Sequence, residues 1–378
     1  MTYLDNAASS HPKPAGVYRA VRETLEIGAN PGRSGHRSAL EAARRIYDAR
    51  AAVAELLGVG DPSRVVFTLN GTHSVNLALK GTLSPGDHVV SSRMEHNSVI
   101  RPLAALEARG VEVTLVGADP EGRVSVGEIE RAIRPNTRLV ALAHASNVSG
   151  TLQEAEAVGD LCRRKGLWFL LDAAQTAGAV PLGAAAVGAH LIAAPGHKGL
   201  LGPQGTGILY VAPEVAVEPL MEGGTGVRSE DPRMPTELPE ALEAGTLNTP
   251  GIAGLGAGVG WLLEHGVEEV RRHEVDILEF LLPELAAVPG LRLYGPRSPR
   301  DRVAVVSFNL EGCDGAHVGL ALDEEYGIAV RVGLHCAPLA HRTLGSFPEG
   351  SVRASFGPFS TLADAERLVR ALRAIARR

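Results

Sequence analysis

Cysteine is scarce in this chain: 378 residues carry three, Cys162, Cys313 and Cys336. Their number is odd and they lie far apart, which argues against a disulfide framework and against a CxxC metal site, so each thiol is judged alone. Positive charge is not in excess either. The formal net charge is −6 and the arginines are scattered, leaving no basic field for a phosphate backbone, and nucleic acid is not an expected partner. Long apolar runs are missing: no stretch of about 18 apolar residues occurs, and the opening MTYLDNAAS has neither a basic n-region nor an apolar h-region. The expected location is cytoplasmic, without a membrane partner. Internal repeats and low-complexity tracts are lacking as well.

What is present is an ordinary globular composition, 45% apolar and 21% charged, sufficient to bury a sizeable core. Two domains are expected at this length, since a domain takes roughly 100–200 residues. From 64 to 211 the β-branched runs RVVFTL, HVVSS, VEVTLV, RLVALA, LWFLLD, HLIAA and GILYV alternate with helical stretches such as 98–109 and 153–165. That alternation predicts a mostly parallel sheet covered by helices. Residues 221–250, rich in Gly, Pro and acidic side chains, read as an irregular surface connection. Beyond them come a Gly-rich helix from Ile252, a longer one over 267–287, strands LRLY and VAVVSFNL, and a terminal helix from Leu362. The expectation is α/β: a large, doubly wound domain over 17–248, and a smaller α/β domain over 249–378 joined by segment 1–16.

The strongest local signal is GHKGLLGPQGTGILY, where Lys198 follows a predicted strand among Gly196, Gly199, Gly202, Gly205 and Gly207. A lone lysine is usually a solvated surface group. Here the glycines let backbone approach a ligand closely, and a desolvated amine has its pKa lowered toward imine chemistry. A lysine of that kind suits pyridoxal 5'-phosphate (PLP), which also needs an acid at its ring nitrogen to act as an electron sink. Asp172 ends the run LWFLL at a strand's C-terminal edge, where open α/β sheets place ligands; the bland alternative is a turn cap. Gln175 is placed to bond the ring hydroxyl. A phosphate belongs at a helix N-terminus, and Asn70-Gly71-Thr72-His73 precedes one, with His197 as a further contact. His96 of SRMEHNSVI follows another strand edge, where an imidazole can stack on the ring. Taken singly, it is more often a structural group.

In order and spacing, YLDNAAS, FTLNGTHSVNLAL, MEHNSVI, AHASNVSGT, LLDAAQ, GHKGLLGPQGTGILY, EAGTLNTPGI, GIAVRVGLHCA and VRASFGPFST resemble the class V aminotransferases of PLP fold type I, most closely the SufS-type cysteine desulfurase and selenocysteine lyase branch. The resemblance runs almost end to end. It implies that Lys198 carries PLP, that Asp172 meets the ring nitrogen, Gln175 the ring hydroxyl and His96 the ring face, and that Asn147 lies near cofactor and substrate. It gives the phosphate to Gly71, Thr72 and His197, joined by Thr246 from the other subunit of a homodimer. Cys336 stands where the nucleophile belongs, Arg353 where the substrate carboxylate is clamped, and Arg331 as a second contact. The implied reaction converts L-cysteine to L-alanine, leaves the sulfur on Cys336 as a persulfide and passes it to an acceptor protein. Another class V activity, such as an aminotransferase, epimerase or selenocysteine lyase, is the alternative. Four departures stand out from that pattern: Pro195 in place of Ser, Gly71 in place of Thr, Asn70 in place of Arg, and Asn97-Ser98 in place of His-Ala.

Overall fold

Short β-branched runs separated by helical spacers fold here into one large sheet, in a computed structural model that describes residues 1–31 and 35–377. In chain order the strands are β1 Thr2–Tyr3, β2 Val65–Thr68, β3 His88–Ser92, β4 Glu112–Val116, β5 Thr137–Ala143, β6 Trp168–Asp172, β7 Leu191–Pro195, β8 Gly207–Val211, β9 Leu291–Tyr294, β10 Val305–Leu310, β11 Ile328–Ala329, β12 Arg331–Gly333 and β13 Ser351–Ser355. The helices are α1 Ala15–Ile27, α2 Arg37–Leu56, α3 Gly71–Thr82, α4 Asn97–Glu107, α5 Val126–Ala132, α6 Ala155–Lys165, α7 Ala184–Val187, α8 Thr249–His265, α9 Val267–Ala286, α10 Gly315–Glu324, α11 Pro338–Leu344 and α12 Leu362–Ile375.

The large sheet has the order β2-β8-β7-β6-β5-β3-β4. Within it β8 runs against both of its neighbours, and the pairs from β7 to β4 are parallel. Crossover helices cover a parallel sheet on both faces, so its strands are apolar throughout rather than alternating. Val89, Val90, Leu139, Phe169, Leu171 and Ile192 are all buried. The apolar runs stop at Thr68, Ser92, Ala143, Asp172 and Pro195, and the turns that follow form the C-terminal edge where such sheets bind ligands.

The second sheet is antiparallel, in the order β12-β13-β10-β9. Leu278, Leu282, Val306, Phe308, Leu368 and Leu372 join it to α9 and α12 in a separate core. β1 pairs in parallel with β11, and Asp5 bridges Ser355, so the first residues are stitched to this unit. Residues 212–248 hold no strand or helix. α8 starts at the Asn248 cap, whose side chain accepts the Gly251 N–H, and its glycines admit α1 and α2: a Cβ on Gly256 would lie 2.7 Å from the Ala49 Cβ. Leu255, Val259 and Leu262 of α8 pack into the core of the large sheet.

Candidate active site

A cavity of about 170 Å³ opens at the C-terminal edge of the large sheet, and turns after five strands line it. Gly71 and Thr72 come after β2, His96 after β3, Asn147 after β5, Gln175 after β6, and His197 and Lys198 after β7, with Asp172 at the last position of β6. Eight residues expected from the sequence therefore meet in one place. Lys198 is half-buried on the wall of the cavity. Burial pushes its amine down to about 8; Asp172 opposes the shift, and Arg353 and Arg331 reinforce it. Its loop is fastened by the N-terminal segment: the Ser10 hydroxyl donates to the Lys198 carbonyl at 2.8 Å, and Lys13 Nζ donates to the His197 carbonyl at 2.7 Å.

Burial likewise raises the pKa of Asp172, against the Ala174 N–H, the Lys198 charge and the Ser98 hydroxyl, which all favour the carboxylate. His96 is the N-cap of α4. Its Nδ1 accepts the Ser98 N–H at 3.0 Å and lies 2.9 Å from the Ser98 hydroxyl. An accepting Nδ1 puts the ring proton of the neutral imidazole on Nε2. Burial first, then the Lys198, Arg331, Arg353 and Arg101 cations, pushes the His96 pKa down to about 4, so the ring is neutral at physiological pH. Glu95, beside it, accepts from the Ser92 hydroxyl at 2.5 Å and from the Ala143 N–H at 2.9 Å. That buried carboxyl ties the turn after β3 to the end of β5.

Two observations test whether PLP fits these residues. α3 begins at Gly71 with Asn70 accepting the His73 N–H at 2.9 Å, and the first-turn N–H groups of a helix have no intrahelical acceptor. Across the cavity His197 Nδ1 is buried without a partner. A helix N-terminus and an orphaned ring nitrogen on one cavity suit a phosphate, while Lys198 and Asp172 suit the aldehyde and the ring nitrogen. The Gly71 departure has a steric reason. A Cβ there would come within 3.1 Å of the Pro195 ring, so glycine and proline allow α3 to start hard against the end of β7.

Beyond the cavity, β12 and β13 set Arg331 directly opposite Arg353. Arg353 is 1% exposed; it donates to the Asn147 carbonyl at 3.0 Å and pairs with Asp5 at 2.8 Å, while its Nε has no partner. Cys336 is exposed, with Arg331 Nη2 4.0 Å from its sulfur. His335 and Cys336 both take left-handed φ, 48° and 57°, a conformation that costs a non-glycine residue about 1–3 kcal/mol. Three contacts hold it: the Asn147 side-chain amide donates to the His335 carbonyl at 2.7 Å, the Asn97 N–H donates to the Cys336 carbonyl at 2.8 Å, and the buried His335 ring lies 3.1 Å from the Ser351 carbonyl. Cys162 is buried in α6, where burial pushes its thiol up to about 12, and Cys313 is exposed after β10. Thr246 is exposed and does not line this cavity. Sequence reasoning missed Asp5, Glu95 and the Asn97 N–H. Asp5 and Glu95 lie inside quoted motifs, but their partners are set by the tertiary fold.

The chain belongs to the class V aminotransferase family, whose model, Aminotransferase class-V, matches residues 2–368. It is 38% identical over 381 residues to a probable cysteine desulfurase of Methanothermobacter thermautotrophicus, covering 99% of this chain and 94% of that one. It is 35% identical over 387 residues to a cysteine desulfurase of Klebsiella pneumoniae, covering 99% and 93%. Among solved structures, the apo cysteine desulfurase from Thermococcus onnurineus NA1 superposes with a TM-score of 0.93 at 33% identity, covering 100% of this chain and 94% of that one. The cysteine desulfurase CsdA from Escherichia coli gives 0.86 at 30%, covering 98% and 93%. The fold is that of the type I PLP enzymes, and PLP is the family's cofactor.

Proposed function

We propose that this chain is a PLP-dependent cysteine desulfurase that converts L-cysteine to L-alanine and keeps the sulfur on Cys336. The observation that carries the reading is the placement of Cys336: an exposed thiol on a loop tied by Asn147 and Asn97 to the same turns that form the Lys198 cavity. Lys198 would hold the cofactor, Asp172 would accept its ring N–H, His96 would cover the ring, and Gly71, Thr72 and His197 would hold the phosphate. Bound PLP supplies an electron sink for the carbanion at the substrate Cα. With the cofactor bound, the free Lys198 amine would take the substrate Cα proton; a pKa near 8 suits an amine to that task. Arg353 and Arg331 receive the carboxylate, for which the orphaned Arg353 Nε is a ready donor. The Cys336 thiol attacks the substrate sulfur, the C–S bond breaks, and L-cysteine plus Cys336–SH becomes alanine plus Cys336–S–SH. Lys198→Ala should lack the visible absorbance of lysine-linked PLP. Cys336→Ala should keep that absorbance and release no sulfur from L-cysteine. Unimpaired desulfuration by Cys336→Ala would refute the assignment.

We also place Thr246 in the cavity of a second copy. Supporting this, Thr246 is exposed in its own chain, and α1 and α2 show Tyr18, Leu25, Leu40 and Tyr47 to solvent, apolar surface of the kind a partner covers. Light scattering on the PLP-loaded protein should give the mass of a dimer. A monomer with full activity removes Thr246 from the site. Among the described residues no helix is long and apolar enough to cross a membrane, which accords with a cytoplasmic setting, and the exposure of Cys336 suits delivery of sulfur to an acceptor protein.

A further inference from the structure

The arginine pair is one anion short of neutral. Arg331 and Arg353 face each other across β12 and β13, and like charges directly opposite on antiparallel strands are destabilising unless something offsets them. Among the described residues Arg331 makes no ion pair, and Asp5 is the only carboxylate paired with Arg353. Asp5 is fixed in its turn. Its backbone bridges Ser355, two positions along the strand that carries Arg353, so the carboxylate reaches the guanidinium as part of the sheet edge rather than from a mobile loop. The Asn147 carbonyl takes Nη1, Asp5 takes Nη2, and Nε is left buried and unpartnered. A guanidinium held at two nitrogens has its plane set, and the plane decides where a bidentate carboxylate can sit.

We propose that Asp5 is the standing counter-ion of the Arg331–Arg353 pair: it aims the Arg353 fork at the incoming substrate and restricts the site to substrates with a single carboxylate. This rests on the reading of Arg353 as the carboxylate clamp. Two arginines and one resident carboxylate leave one net positive charge, which a monocarboxylate neutralises and a dicarboxylate overfills. Asp5 touches no reacting atom and acts as a positioning residue through Arg353.

The test uses the PLP-loaded protein and two thiol acids without an amino group, 3-mercaptopropionate and mercaptosuccinate, which cannot displace Lys198. Asp5→Ala should raise KM for L-cysteine and Kd for 3-mercaptopropionate about tenfold, the change expected for one well-placed charged hydrogen bond, with kcat within about twofold. Asp5→Asn keeps an acceptor at the same place but drops the charge. It should hold KM within about threefold of the wild type while shifting the ratio of affinities about tenfold toward mercaptosuccinate. An unchanged ratio in Asp5→Asn overturns the proposal even if Asp5→Ala does not fold, and so does a fall in kcat at constant KM in Asp5→Ala. Arg353→Lys separates the two readings. If it leaves KM and Kd unchanged, the clamp itself is wrong; if it raises both while the Asp5 variants behave as wild type, only the role of Asp5 fails.

Discussion

Lys198 sits half-buried in the turn after β7, and nearly everything about its chemistry follows from the water it has lost there. A lysine in water stays protonated to about pH 10.4 and is a poor nucleophile at neutral pH. Burial brings this amine down to about 8, so a useful fraction is free base where the enzyme works. Attachment of PLP needs the free base, and the cofactor-free protein therefore has a measurable signature. The rate at which added PLP becomes linked to Lys198 should rise with pH through a midpoint near 8, because the reactive form accumulates as the proton leaves. A midpoint near that of an ordinary lysine would mean that the amine is solvated in the cofactor-free state. Single residues were also the most legible level of the sequence. Lys198 announced itself by its glycine-rich company and Asp172 by ending an apolar run. His96 was harder: only the structure shows that it caps α4 through Nδ1, which directs its remaining ring proton to Nε2.

At the scale of elements, the strands from β2 to β8 coincide with the β-branched runs because a parallel sheet buried on both faces writes itself as continuous apolar segments. Strand order is not written that way. That β8 inserts between β2 and β7, running against both, depends on long-range pairing. The missing Cβ of Gly207 makes it possible, since one would lie 2.6 Å from the Thr68 hydroxyl and 2.7 Å from the Asn70 carbonyl carbon. The Cys336 loop shows the same limit. RVGLHCA reads as a strand end and a turn, yet its two left-handed residues are held from elsewhere in the fold: Asn147 and the first residue of α4, Asn97, donate to their carbonyls, and the His335 ring lies against Ser351. The strain sits at the residue we propose as the carrier of the sulfur.

The whole molecule brings two cores together around the site, and the joint between them carries a buried charge problem. Asp5 and Arg353 are 348 positions apart in sequence, so no local pattern could have paired them. Glu274 of α9 belongs to the same joint. It lines a cavity of about 40 Å³ with Asn6, Gln175, Lys198 and Ala304, one of its carboxyl oxygens has no partner, and burial pushes its pKa up to about 8. Its pKa in the folded protein thus lies above that of the unfolded chain, about 4.3. The folded state holds the proton more tightly, and the stability this contributes is complete below the unfolded value and lost as pH climbs toward about 8. Glu274→Gln is neutral at every pH and escapes that loss. Thermal melts of the two proteins should therefore diverge between pH 5 and 8. The wild type should fall relative to the variant by on the order of 2–4 kcal/mol, and the curves should run parallel again at higher pH. Parallel curves across the whole range would mean that Glu274 is solvated or paired as a carboxylate in the folded protein.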